Sequence, residues 1–401
     1  MSEEIDYKAL LSADVANFFR SPVRDIFKRV DLSKIYSFAG GYPSADTFPL
    51  DQISATVDAV IAKYGAKALQ YGATQGAMEL REVVAKRCGV NVESVQITTS
   101  SQQGIDVITR VLVNPGDGIL TACPTYLGAL QSFASYRAVV RGVECEATGE
   151  STYSAYKQAV AQFRKDGITP KFIYSIPDFQ NPSGETLTLA QREALVRVAR
   201  EEGILIVEDA PYRELRYEGT PLPTIYSLGS DCTVHLGSFS KIFAPGFRLG
   251  WMFAPETVLD SVYVCKQSLD LCPPVLDQYV AAEFMGSGRL DINLQNTLKI
   301  YKRKRDLLLS LLEKHMPEGV TWTHPEGGLF LFLTLPEGFD SVKFYDVSLD
   351  RGVAYVAGCF FYPDGSHRNT MRMNFSFMTE EKIAAGVPLL AELIREEIGK
   401  L

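Results

Sequence analysis

The sequence predicts an α/β protein, with a mostly parallel central sheet flanked by helices and a smaller α+β domain after it. Three observations carry this. From about residue 77, segments of helical pattern ("AMELREVVAKRCGV", "SQQGIDVITRVLVN", "YLGALQSFASY") alternate with strand-like ones ("VESVQITT", "GDGILTA"), the rhythm of parallel strands joined by helical crossovers. The strands that follow, "KFIYSIP", "ILIVEDA", "CTVHLGS" and "RLGWMFA", are short apolar runs, as suits strands covered on both faces, with "TLAQREALVRVAREEG" as a helix among them. Beyond about residue 285 the pattern changes. A long charged helix, "LQNTLKIYKRKRDLLLSLLEKHM", leads to "GGLFLFLTLP", a helix near 340–351, short strands and a C-terminal amphipathic helix.

This organisation assigns 45–285 to a large domain and 286–401 to a small one. Residues 1–44 have no clear sheet role and are expected to join the small domain and cover the site. With 401 residues, 46% hydrophobic and 22% charged, the chain is long enough to bury a large core. A net charge of −8 argues against a general nucleic-acid surface, so small-molecule chemistry is the expectation. "MSEEIDYKALL" has no basic segment followed by an apolar core, and no apolar run approaches a membrane span, which points to a cytoplasmic protein without membrane partners. The seven cysteines are odd in number and hold no C-x-x-C pair, as expected of reduced thiols. The four histidines form no i, i+4 pair, so a metal site is not expected.

Ligands of open parallel sheets bind beyond the carboxyl ends of the strands, so the residues just after each strand are the candidates. After "VQITTS" come Ser101, Gln102 and Gln103 at a helix start, where free N–H groups favour an anion such as phosphate; simple N-capping by Ser100 or Ser101 fits equally. Tyr126, in "CPTYLGAL", opens the next helix and offers a ring for stacking, or merely for packing. Asn181-Pro182, in "DFQNPSG", makes a turn whose amide either points at a ligand or closes an Asx-type structure. Asp209 ends an apolar strand, with Tyr212 three residues on. A buried carboxylate needs a partner, and a protonated heterocyclic nitrogen serves as well as a salt bridge. Finally "SFSKIFAPGFRLGW" puts Ser238, Ser240, Lys241 and Arg248 together; a lysine beside a second cation, away from water, is suited to Schiff-base chemistry.

Together these describe one ligand, a planar pyridine with a phosphate and an aldehyde. At this point the sequence resembles the fold-type I, class I/II aminotransferases that use pyridoxal 5'-phosphate. Within them it is most similar to the branch of kynurenine/2-aminoadipate and broad-specificity aromatic or branched-chain aminotransferases. The resemblance runs from "SPVRDIF" and "FAGGYPSADTFP" through "ALQYGATQGAMELRE", "SSQQGID", "PTYLGALQ", "FQNPSG", "EDAPYREL" and "SFSKIFAPGFRLGW" to "PEGGLFLFLTLPEG" and "NTMRMNFSF".

The resemblance implies that Lys241 is the Schiff-base lysine and that Asp209 pairs with the pyridinium nitrogen. It implies Asn181 and Tyr212 on the ring oxygen and Tyr126 stacked on the ring. Ser101, Gln102, Ser238, Ser240 and Arg248 would hold the phosphate, with Tyr71 reaching in from a second subunit of a homodimer. Arg372 in "MRMNFSF" matches the arginine that clamps the substrate α-carboxylate. Gly41, Tyr42 and Arg24 fall where the substrate side chain is met, though a helix-surface ion pair fits Arg24 as well. The chain departs from many relatives at Ala357-Gly358, where they have Pro-Gly, and its aromatic pair Phe360-Phe361 bears on the side-chain pocket. The implied activity is ping-pong transfer of an amino group from a 2-aminoadipate, aromatic or branched-chain L-amino acid to a 2-oxo acid such as 2-oxoglutarate. A β-lyase on the same fold shares every cofactor residue and stays open. A ligand-sensing regulator fits less well, because the resemblance begins near residue 17.

Overall fold

The computed structural model describes residues 5–18 and 34–401. Arg24 lies outside them. The first strand described is Tyr36–Ser37 (β1). The chain then forms Gln96–Thr98 (β2), Gly118–Ala122 (β3), Val139–Val143 (β4), Pro170–Ser175 (β5), Leu205–Asp209 (β6), Thr233–Ser238 (β7) and Gly250–Phe253 (β8). The last seven make one sheet in the order β2-β8-β7-β6-β5-β3-β4. It is the mostly parallel sheet expected, with one exception: β8 runs antiparallel to both of its neighbours. Parallel strands need a long crossover, usually helical, and the segment joining β7 to β8 holds only a turn at Pro245–Phe247, so β8 returns beside β7 in the opposite sense.

Helices cover both faces. Strand residues alternate between two cores, with Ile173 and Ile206 packing beside Val160 and Leu195 of the helices Gly149–Lys165 and Leu189–Glu202. Phe172, Tyr174 and Val207 point the other way, into the core that includes Ile105 and Ile108 of the helix Ser100–Leu112. β4 and the helix Gly149–Lys165 have no counterpart in the sequence reading. β4 is an edge strand, "VVRGV", whose arginine and glycine interrupt the apolar run and leave it partly exposed.

The long charged helix starts at Arg289, ahead of the expected Leu294, and ends at His315. After it come Thr321–Trp322 (β9), Phe330–Thr334 (β10), Val353–Ala354 (β11), Val356–Ala357 (β12) and Thr370–Asn374 (β13). β12, β13, β10 and β9 form an antiparallel sheet, and its core joins Leu331, Met371 and Met373 to Leu390 and Ile394 of the C-terminal helix Glu380–Ile398. β1 pairs with β11 in parallel, and Phe38 enters this second core. That pairing leads Ala39, Gly41 and Tyr42 to the seam between the two cores, where the carboxyl ends of β5, β6 and β7 also open. Among the described residues no helix is long and apolar enough to cross a membrane.

Candidate active site

At that seam lies a cavity of about 1140 Å³. Lys241 lines it three residues beyond β7, and its Nζ donates to the Gly41 carbonyl at 2.7 Å. Removal from bulk water, then the charges of Arg372 and Arg248, bring its pKa down to about 8. The neutral amine is therefore accessible near physiological pH.

Asp209, the last residue of β6, is 2% exposed and lines the same cavity. Its Oδ2 accepts the Tyr174 hydroxyl at 2.7 Å, while Oδ1 is buried with no partner. Burial raises its pKa to about 6, against the opposing effects of the Tyr174 bond and of His235. A buried acceptor left empty at a cavity wall is the feature that a ring N–H satisfies.

Tyr212 and Asn181 form the adjoining wall. The Tyr212 ring meets Phe330 edge-on, with centroids 5.8 Å apart, and its hydroxyl hydrogen-bonds Asn181. Asn181 Oδ1 in turn accepts from Arg372 Nη1 at 2.8 Å. Arg372, from β13 of the smaller sheet, donates from Nη2 to the Ala39 carbonyl and lies over Phe330 and Phe361, 4.3 and 5.0 Å from the ring centroids. Burial lowers its pKa to about 10, and its Nε has no partner. An arginine so far from water, with a donor to spare, suits a carboxylate.

A third wall is the N-terminus of the helix Ser100–Leu112. Thr99 caps it without a side-chain bond, so the first backbone amides, including those of Ser101 and Gln102, are left for other acceptors. Arg248 Nη2 donates to Ser100 Oγ at 2.8 Å, and Ser238 Oγ accepts the Ser240 amide at 3.2 Å, which gathers hydroxyls and a cation around those amides. Gly250 permits this approach, since a Cβ there would stand 2.7 Å from the Ser100 carbonyl carbon. The Tyr126 hydroxyl donates to Gln102 Oε1 at 3.2 Å, and its ring lines the cavity.

Gly41 and Tyr42 line the cavity too, Tyr42 resting on Phe377 with centroids 5.8 Å apart. Of Phe360-Phe361, only Phe361 reaches it. Tyr71 is 79% exposed and lies off the cavity of its own chain. Tyr174, Phe330, Gln131 and Asp106 were not singled out from the sequence. Phe330 and Tyr174 look like ordinary strand core, and Gln131 and Asp106 like helix positions, until the cavity is seen.

The family described as aminotransferase class I and II matches residues 39–388. The chain belongs to that family. It is 40% identical to aromatic-amino-acid aminotransferase 1 of Thermococcus litoralis, over 99% of this chain and 96% of the relative. Among solved structures it is similar to a Pyrococcus horikoshii kynurenine aminotransferase in complex with PMP, with TM-score 0.93 and 40% identity over 98% of each chain. It is also similar to the α-aminoadipate aminotransferase of Thermus thermophilus complexed with N-(5'-phosphopyridoxyl)-L-leucine, with TM-score 0.91 and 31% identity over 99% of this chain and 100% of that one. The protein is therefore a pyridoxal-phosphate-dependent aminotransferase of fold type I. The residues present fit that cofactor, with a carboxylate oxygen that has no partner, a lysine of lowered pKa and a helix start without a side-chain cap around one cavity.

Proposed function

We propose that this aminotransferase transfers the amino group of an aromatic, branched-chain or 2-aminoadipate L-amino acid to a 2-oxo acid, 2-oxoglutarate being the expected acceptor, in a ping-pong sequence. The observation that carries this reading is the pairing, in one cavity, of a low-pKa lysine with a buried arginine whose Nε is unsatisfied. One handles protons at the substrate Cα, and the other grips its carboxylate. The names of the relatives support the substrate classes, as do the apolar rings of Phe330 and Phe361 beneath Arg372.

In this reading Asp209 holds the ring nitrogen, Asn181 and Tyr212 the ring oxygen, and Tyr126 a ring face. Ser101, Gln102, Ser238, Ser240 and Arg248 hold the phosphate. When bound, pyridoxal phosphate supplies an electron-accepting ring that stabilises negative charge developing at the substrate Cα. Lys241 Nζ takes the Cα proton as general base, and its lowered pKa keeps enough of it neutral to do so. Arg372 fixes the α-carboxylate by a forked contact and so orients the Cα–H bond. Gly41 and Tyr42 bound the side-chain end of the site, and Arg24 is proposed to approach it. We propose that the active unit is a homodimer in which Tyr71, exposed in the single chain, completes the phosphate site of the partner.

A panel of amino donors assayed against 2-oxoglutarate and pyruvate tests the proposal. The expected result is stoichiometric amino transfer from several aromatic, branched and acidic donors, with parallel-line initial-rate kinetics. Activity confined to one aliphatic donor would sink the broad-specificity reading. Release of ammonia and pyruvate from cysteine conjugates without amino transfer would make the protein a β-lyase.

A further inference from the structure

The Asp209 carboxyl is held by one side chain that no part of the sequence reading anticipated. Tyr174 on β5 pairs in register with Val207 on β6, so the period of two puts Tyr174, Val207 and Asp209 on one face of the sheet. The Tyr174 side chain is fully buried, and its ring meets Phe133 edge-on with centroids 5.5 Å apart. The hydroxyl is thus placed by the core before any ligand arrives, 2.7 Å from Asp209 Oδ2. Among the described residues it is the one donor that reaches this carboxyl. The other titratable groups around the pair are His235 on β7, which is bonded to Glu208 on the opposite face, and the phenols of Tyr212 and Tyr126.

We propose that Tyr174 is a positioning residue for the reaction: by occupying Oδ2 it turns Oδ1 toward the ring nitrogen of the cofactor and keeps the carboxyl ionised there. The proposal rests on the reading of Asp209 given above. A tyrosine that merely filled the core would do as well as phenylalanine. Here the hydroxyl lies against a buried carboxylate that lines the cavity, and its loss would leave both oxygens of Asp209 without a donor.

The test compares Tyr174→Phe with Asp209→Asn and wild type as holoenzymes. Four quantities are followed: kcat and KM for an amino donor, the dissociation constant of pyridoxal phosphate from the apoprotein, and the pH midpoint of the bound cofactor's visible absorption change. Phenylalanine preserves the packing on Phe133, and the melting temperature of each apoprotein is recorded as a control. For Tyr174→Phe the expected results are a kcat lower by about tenfold, a KM within about twofold of wild type, a cofactor dissociation constant raised by about tenfold and an absorption midpoint moved by about one pH unit, the scale of one charge-assisted hydrogen bond. An unchanged midpoint and kcat, with only the melting temperature lowered, would make Tyr174 a core residue and overturn the proposal. Failure of the underlying reading has a different signature: wild type would show no visible absorption with pyridoxal phosphate, and Asp209→Asn would lose nothing.

Discussion

Glu208 and Asp209 are neighbours in the chain, both buried, and face opposite sides of the same strand. Glu208 is fully engaged: it accepts the backbone amides of Ile225 and Tyr226 at 2.8 and 3.0 Å and bonds His235 Nδ1 at 2.9 Å. Burial alone would raise its pKa, but His235 and the two amides outweigh that and leave it below the usual value. Asp209, with one donor and one empty oxygen, is pushed up to about 6. Glu208 is therefore part of the scaffold, where every lone pair facing protein is satisfied. Asp209 stores an unmet demand at the cavity, the expected condition of a group kept for a ligand.

The largest effect that would expose this difference lies on the Asp209 side. Lys241→Ala should lower turnover by about 10⁴-fold or more and abolish the visible absorption of the holoenzyme; a variant that keeps both would remove Lys241 from the chemistry. Asp209→Asn should reduce kcat by about 10²–10³-fold while the protein stays folded, as steady-state kinetics and circular dichroism would report. Arg372→Ala should act on substrate capture, raising KM for the amino donor and costing about 10²-fold in kcat/KM, with cofactor absorption intact.

The Glu208 side should behave in the opposite way. Glu208→Gln should cost about 2 kcal/mol of stability, seen as a lower melting temperature, and leave kcat of the folded enzyme within about twofold. Loss of activity without loss of stability would show that the scaffold reading of Glu208 is wrong.

The smallest effect concerns pH, where the two carboxyls differ in sign. Asp209 binds its proton more tightly folded than unfolded, so its contribution to apoprotein stability is complete at low pH and disappears as pH rises from about 4 to about 6. Glu208 releases its proton more readily folded than unfolded, so its contribution is present above the usual carboxyl range and is lost on acidification. Melting of the apoproteins between pH 4 and 7 should show Asp209→Asn gaining on wild type as pH rises and Glu208→Gln falling behind it. Parallel curves would remove the distinction between the two residues.

Much of this was legible in the chain because it is local. A strand that ends in Asp209, a turn at Asn181-Pro182 and the run from Ser238 to Arg248 each declare themselves within a few residues, and the alternation of helix and strand predicts the large sheet. Features that depend on distant partners were not legible. Ser100, which reads as one of two N-cap candidates, accepts from Arg248, a residue far along the chain. Tyr174 reads as core until the register with β6 turns its hydroxyl onto Asp209. β4 stays hidden because an edge strand does not need a continuous apolar run.

The sequence by itself determined the fold class, the resemblance to aminotransferases and the set of polar residues that follow the strands, since these follow from short-range pattern and motif. Only the tertiary structure decided which of two adjacent carboxyls faces the cavity, which donor holds it, and that Arg372 of the smaller sheet and Lys241, just beyond β7 of the larger, line one cavity. Those outcomes depend on strand register and on the packing of two cores against a shared seam, where segments far apart in the chain supply the partners.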